Sequence, residues 1–240
     1  MISLKNVEHW KRGVDAIASF ISEGNFRFND AGVHFRAMDP SQIVLVDLAI
    51  EKSAFDGFEI EPTFAGVDIV ELSKIMSRAL PNDSMSMDLS DSEIMVKFHG
   101  EMNRAFRLPL IDVSEDEVSL PNHKFDATVQ ITGRLLKEAL KDASLFGSSV
   151  ILKVKDGKFM IEARGSQGGL NTDAAKTKGI DVQGSKEVVS KYSLNFLSNI
   201  VKEATPDQKV TLNLKTDAPM KVSYKIGGSE IQYYLAHMLL

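Results

Sequence analysis

Residues 37–50 read AMDPSQIVLVDLAI, and the two parts of the stretch obey different rules. Asp39-Pro40-Ser41 is turn chemistry: proline fixes φ and lacks an N–H, and Asp and Ser bond the local backbone. Ile43, Val44, Leu45, Val46, Leu48 and Ile50 then form a nearly continuous apolar run, the pattern of a strand buried in a sheet. Met38 and Gln42 bracket the turn, so a flexible thioether and an amide stand at the mouth of a core strand. Just before them, residues 30–37 (DAGVHFRA) give an Asp-x-Gly turn followed by alternation.

The same plan recurs about 125 residues later. Residues 155–163 (KDGKFMIEA) repeat the turn and the alternation. A helical pattern over 68–80 stops at Pro81-Asn82-Asp83, and its counterpart over 193–204 stops at Thr205-Pro206-Asp207. Each is followed by an alternating strand, residues 84–89 (SMSMDL) and 209–214 (KVTLNL). Each half closes on an apolar strand, residues 105–110 and 231–236. A repeat this long, with elements in one order, indicates duplicated α+β domains over 1–110 and 127–240. The acidic, proline-containing segment 111–126 (IDVSEDEVSLPNHKFD) reads as an exposed connector with one apolar edge at Val118 and Leu120.

Four helices stand among many strands, and each offers cations away from its apolar stripe. In 7–21, Val7, Trp10, Val14, Ile17 and Ile21 share a face, with Lys11 and Arg12 beside and opposite it. In 68–80, Ile69, Leu72, Ile75 and Met76 face inward, while Glu71, Lys74 and Arg78 lie on the other side. In 133–143, Leu135, Leu136, Ala139 and Leu140 pack and Arg134, Lys137 and Lys141 point outward. The fourth helix offers Lys202, with Glu203 beside it.

The 240 residues are 43% hydrophobic and 25% charged, an ordinary globular composition. The absence of any signal-peptide pattern or long apolar run gives the expectation of a soluble chain without a membrane span. There is no cysteine, which excludes disulfides, thiolate nucleophiles and cysteine-type metal sites. The net charge of −5 is uneven: residues 1–110 carry 11 Lys+Arg against 17 Asp+Glu, and residues 127–240 carry 16 against 11. Enzyme signatures fail. No phosphate-binding GxxxxGK[ST], HExxH or GxSxG motif is present, the five histidines lack metal-ligand spacing, and Gly165–Gly169 reads as a flexible loop. The expectation is a non-enzyme with no metal and no cofactor.

Several separate motifs in order resemble the proliferating cell nuclear antigen-type DNA polymerase sliding clamps, the archaeal ones most. They are Arg36-Ala37-Met38-Asp39-Pro40-Ser41 with its strand, residues 106–113 (FRLPLIDV) entering the connector, residues 141–145 (KDASL), and Tyr233-Tyr234-Leu235-Ala236. The resemblance covers essentially the whole chain. It implies a clamp fold with outer antiparallel sheets, four inner helices and a closed ring of three subunits threaded by duplex DNA. The bore residues would be Lys11, Arg12, Lys74, Arg78, Arg134, Lys137, Lys141 and Lys202, meeting phosphates without reading sequence.

The resemblance also implies recruitment of DNA polymerase, flap nuclease, ligase and a clamp loader through short peptide motifs docked under the connector. The pocket would comprise Met38, Gln42, Ile43, Leu45, Val118, Leu120, Pro121, Pro219, Tyr234, Leu235, Ala236 and His237. Subunit contacts would use Arg104, Phe106 and Arg107 on one edge and Glu138 and Asp142 beside the other, which lies within 165–184. Ion pairs of Arg78, Arg104 or Arg107 with Glu138 or Asp142 are expected there. The implied location is the cytoplasm, on the nucleoid of a prokaryote. The chain departs from the family in having His237 where a proline usually follows Tyr-Leu-Ala, and a short apolar tail. A subunit of a heterotrimeric clamp, and an oligomeric scaffold that encircles no DNA, stand as alternatives.

Overall fold

The computed structural model describes residues 1–114, 118–184 and 186–240; the acidic run Glu115-Asp116-Glu117 of the expected connector lies outside the described residues. Two compact units divide the chain. The first gathers Met1–Pro40, Val46–Ser119 and Ile226–Ile231; the second gathers Ser41–Leu45, Leu120–Lys225 and Gln232–Leu240.

The first unit runs β1 (Ile2–Leu4), α1 (Val7–Ala18), β2 (Glu23–Asn29), β3 (Gly32–Met38), β4 (Val44–Glu51), a 3-10 turn (Lys52–Ala54), β5 (Gly57–Phe58), β6 (Thr63–Asp68), α2 (Ile69–Met76), β7 (Ser84–Leu89), β8 (Glu93–His99) and β9 (Arg104–Pro109). Its strands neighbour in the orders β5-β1-β7-β8-β9 and β4-β3-β2-β6. The remaining elements are β10 (Ala127–Thr132), α3 (Gly133–Ser144), β11 (Ser149–Lys155), β12 (Lys158–Gly165), β13 (Gly168–Ala174), β14 (Ile180–Gly184), β15 (Val188–Ser193), α4 (Leu194–Ile200), β16 (Lys209–Leu214), β17 (Met220–Ile226) and β18 (Ser229–Leu235). They neighbour as β14-β10-β16-β17-β18 and β13-β12-β11-β15. Strand for strand and helix for helix, the second set repeats the first, which is the duplication read from the turns and proline stops.

Local chemistry accounts for the element limits. Asn6 caps α1 by accepting from Glu8 N at 3.0 Å, and Asp68 caps α2 by accepting from Glu71 N at 2.8 Å. Both even-numbered helices are shorter than the sequence pattern: α2 ends at Met76 and α4 at Ile200. The chain continues through 3-10-type bonds, Arg78 N to Ile75 O at 2.9 Å and Lys202 N to Asn199 O at 3.3 Å, which keep the apolar spacing without an α-helix. Gln42 adopts a left-handed φ of 59°, so the turn lasts one residue longer than Asp39-Pro40-Ser41 and the strand starts at Val44.

One expectation is corrected. Residues 165–169 are a tight hairpin and not a flexible loop: Gly165 pairs with Gly168 at the end of the β12–β13 ladder. A Cβ on Gly165 would stand 1.9 Å from the Phe146 carbonyl oxygen, and Gly168 has a φ of +145°. Close backbone approach and backbone conformation demand these glycines.

In the first unit the helix stripe Trp10, Val14 and Ile17 and the alternate residues Phe26 and Phe35 are all buried, with the Phe26 and Phe35 rings 5.1 Å apart. In the second, Leu136, Leu140, Leu197 and Ile200 from the helices are buried, as are Val150, Leu152 and Tyr192 from the strands they pack on. Each such large apolar side chain contributes about 1.5–3 kcal/mol relative to an exposed one.

Candidate nucleic-acid and peptide interfaces

Three of the eight sequence-nominated cations converge on one surface of the second unit. Lys137 and Lys141 of α3 and Lys202, just past α4, line a depression of about 270 Å³ floored by Leu140 and Val201 and edged by Ser144 and Ser198. Lys137 Nζ donates to the carbonyls of Lys202 at 2.7 Å and Ala204 at 2.8 Å. These are carbonyls at a helix exit, which need donors from outside the helix. The lysine therefore ties α3 to the end of α4. Lys141 pairs with Glu138 at 2.7 Å on the exposed surface. Arg134 is exposed at the start of α3.

In the first unit, α1 packs on α2, and Ser73 Oγ donates to Asp15 Oδ1 at 2.6 Å. Lys11 and Arg12 are half-buried. Lys74 is exposed, and its hydrogen bond to Glu71 at 2.6 Å raises its pKa above the ordinary lysine value. Arg78 lies on the turn after α2, and its carbonyl accepts from Arg104 Nη1 at 2.6 Å. Arg78 and Lys202 thus extend from the turns that follow α2 and α4.

The residues nominated for peptide docking differ sharply in exposure. Met38 is 36% exposed, while Leu45 and Leu235 are buried at 1% and 0%. Leu45 and Leu235 are core side chains that support the surface from behind. Tyr234 is 8% exposed, its ring facing Lys221 Nζ at 6.0 Å. Within the second unit, Ile43 and Ala236 are joined by a backbone bond of 2.9 Å. Leu120, Pro121, Pro219 and His237 are half-buried and Gln42 is exposed.

Within the first unit the start of the connector is clasped to the sheet. Ile111 N donates to Gly66 O at 2.9 Å on the edge strand β6. Asn25 Nδ2 donates to Val113 O at 3.1 Å and Ser114 O at 3.2 Å. Arg36 Nη1 reaches Val118 O at 3.4 Å. Arg36 is itself aimed by Asp47, whose Oδ1 lies 2.7 Å from both Arg36 Nε and His34 Nε2. Burial alone would raise the Asp47 pKa; the His34 and Arg36 bonds outweigh it and hold the carboxyl below its ordinary value. Sequence reasoning missed Asn25, Gly66 and Asp47. Their only signal is outward alternation on β2 and a polar residue inside the apolar β4.

Among the sheet edges are β9 in the first unit and β13 in the second. Phe106 packs edge-on against Phe98 at 5.7 Å. Within its own unit Arg104 pairs with Asp83 and lies over the Phe98 ring, and Arg107 stands 3.8 Å from Glu93. Glu138 is engaged by Lys141, and Asp142 is exposed.

The description of the proliferating cell nuclear antigen N-terminal domain matches residues 2–117, and that of the C-terminal domain matches residues 119–238. The chain belongs to the proliferating cell nuclear antigen family. Among its relatives, the DNA polymerase sliding clamp of Thermococcus gammatolerans is 35% identical over 223 residues, covering 90% of each chain. That of Pyrococcus furiosus is 32% identical over 229 residues, 94% of this chain and 92% of the relative. In fold, the chain matches the crystal structure of proliferating cell nuclear antigen from Thermococcus kodakaraensis with a TM-score of 0.94 over 99% of both chains, at 23% identity. It also matches the protein from Entamoeba histolytica with a TM-score of 0.92 at 25% identity, over 99% of this chain and 98% of that one.

Proposed function

We propose that this chain is a DNA polymerase sliding clamp: a non-catalytic processivity factor that closes as a ring of three subunits around duplex DNA. The observation that carries the reading is the lysine-lined depression of α3 and α4 on a chain whose relatives bear that name. Lysines on rigid helices meet phosphates without reading bases, which suits a protein that must slide. The clamp raises the effective concentration of the enzymes it carries and does no chemistry itself. Its place of work is the DNA of the cytoplasm; no helix among the described residues is long and apolar enough to cross a membrane.

Ring closure is assigned to two of the sheet edges, β9 of one subunit against β13 of the next, an arrangement that would satisfy backbone groups otherwise left open. Partner enzymes, among them flap nuclease, ligase and a clamp loader, are assigned to the surface around Met38, Gln42 and Ile43 with residues 234–237 and the connector. Lys137 also serves the fold, so the clean test reverses Lys141 and Lys202. Each lysine that meets a phosphate adds about 0.9 to the slope of log K against log salt concentration. The double variant Lys141→Glu, Lys202→Glu is expected to fold normally, to flatten that slope and to shorten primer-extension products. Unchanged slope and product length would defeat the assignment.

A further inference from the structure

Trp10 is the one tryptophan of the chain. Its side chain is 3% exposed, and its Nε1 is buried without a hydrogen-bond partner among the described residues. Buried indole N–H groups ordinarily find one, because an unmade bond there is not replaced by water. The ring is held between Phe26 at 5.7 Å and Phe55 at 6.2 Å, so it cannot swing out to solvent without opening the core.

Trp10 also forms part of the wall of a cavity of about 80 Å³ that lies wholly within the first unit. Leu48, Ile50, Phe55 and Ile226 give it apolar sides, and His9 and Asp56 stand among its polar lining. The volume is several times the ~15 Å³ that one water needs and about half the ~150 Å³ that holds benzene. Asp56 is already engaged, accepting from Lys5 N at 2.6 Å with Lys5 Nζ at 3.6 Å.

We propose that this cavity is a binding site for a small neutral carbonyl compound, whose oxygen accepts from Trp10 Nε1–H while a compact aliphatic body lies against Leu48, Ile50 and Phe55. Each alternative class fails on a feature of the walls. A hydrocarbon would leave the indole proton unpaired. An anion would enter an apolar space beside the Asp56 carboxylate, whose Lys5 partner is already engaged, and burying such a charge is prohibitive. A cation offers nothing to the indole donor. A benzene-sized ring exceeds the volume. The proposal does not depend on the clamp reading, because no bore, edge or peptide-docking residue takes part.

The probe is acetone, a four-heavy-atom carbonyl compound, titrated into the full-length protein labelled with nitrogen-15. A single tryptophan gives a single indole N–H resonance, so the reporter is the proposed donor itself. That resonance is expected to move downfield saturably, with a dissociation constant in the millimolar range typical of so few atoms. Trp10→Phe removes the donor and enlarges the space. Saturation-transfer measurements on the ligand should therefore show binding weakened at least about tenfold, where recognition by space alone would strengthen it. If that variant fails to fold, the wild-type titration still decides. An indole resonance that stays fixed up to about 100 mM ligand overturns the proposal and assigns the donor to solvent, as does undiminished binding by folded Trp10→Phe.

Discussion

Replacing Asp47 by alanine should destabilise the first unit and release the connector together. The carboxylate is 8% exposed and holds two partners, Arg36 Nε and His34 Nε2, each at 2.7 Å from Oδ1. A hydrogen bond to a charged group contributes about 1.5–3 kcal/mol, and removing one member of a fully buried ion pair costs about 3–5 kcal/mol. The Arg36 and His34 side chains are 21% and 26% exposed, so water compensates part of the loss. The expected cost is therefore about 2–3 kcal/mol at neutral pH. Urea unfolding followed by Trp10 fluorescence measures it in the unit concerned. The pH dependence supplies the sharper check. Asp47 has a folded pKa below 3.8, so its contribution is fully present above that value and fades as pH falls through the lowered one. Wild type and Asp47→Ala should therefore differ by a constant amount from pH 7 to about pH 5 and converge in stronger acid. Equal stability at pH 7, or a difference undiminished at pH 2, would refute the reasoning.

Met38→Ala and Ile43→Ser should each weaken a polymerase-tail peptide by about 1–2 kcal/mol, roughly tenfold, in calorimetric titration, with subunit mass and DNA encirclement unchanged. Gly66→Ala places a Cβ 2.1 Å from Ile111 O, so amide exchange at Ile111 should accelerate by an order of magnitude or more as the clasp opens. Tyr224→Phe removes the 2.8 Å bond from Tyr224 Oη to Ile200 O. That leaves a buried carbonyl short of a donor, and thermal unfolding should report a loss of about 1–2 kcal/mol.

The duplication was legible because its markers are local. Turn dipeptides, proline stops and alternating strands announce themselves within a few residues, and the sheet orders of the two units match strand for strand. What escaped notice depends on contacts distant in sequence. The glycines at 165 and 168 read as flexibility because glycine permits it, whereas their causes are the Phe146 carbonyl pressed against Gly165 and the positive φ of Gly168. The pattern extended α2 to Leu80 and α4 to Ala204, since 3-10 turns preserve the i, i+3 spacing of apolar residues. Gln42 gave no hint of a left-handed φ, because glutamine is not a residue that favours one. For the sites, outward cations were readable from helical phase. The second use of Lys137 was not, as its carbonyl partners lie 65 and 67 positions away.

One topology repeated twice has been given two electrostatic characters. On the helices of the first unit, Lys74 is held by Glu71 with Asp68 nearby, and Lys11 shares its depression with Glu8 and Asp83. Lys74 is thus balanced where it stands. On α3, Lys137 donates to the neutral carbonyls of Lys202 and Ala204, which fix its position. Lys202 is exposed, and Lys141 meets Glu138 at a surface where such a pair contributes little. Phosphate affinity arises from counterions released by unbalanced cations. The proposed phosphate contacts can therefore be separated repeat by repeat, with Lys74 reversed on the first and Lys141 with Lys202 on the second.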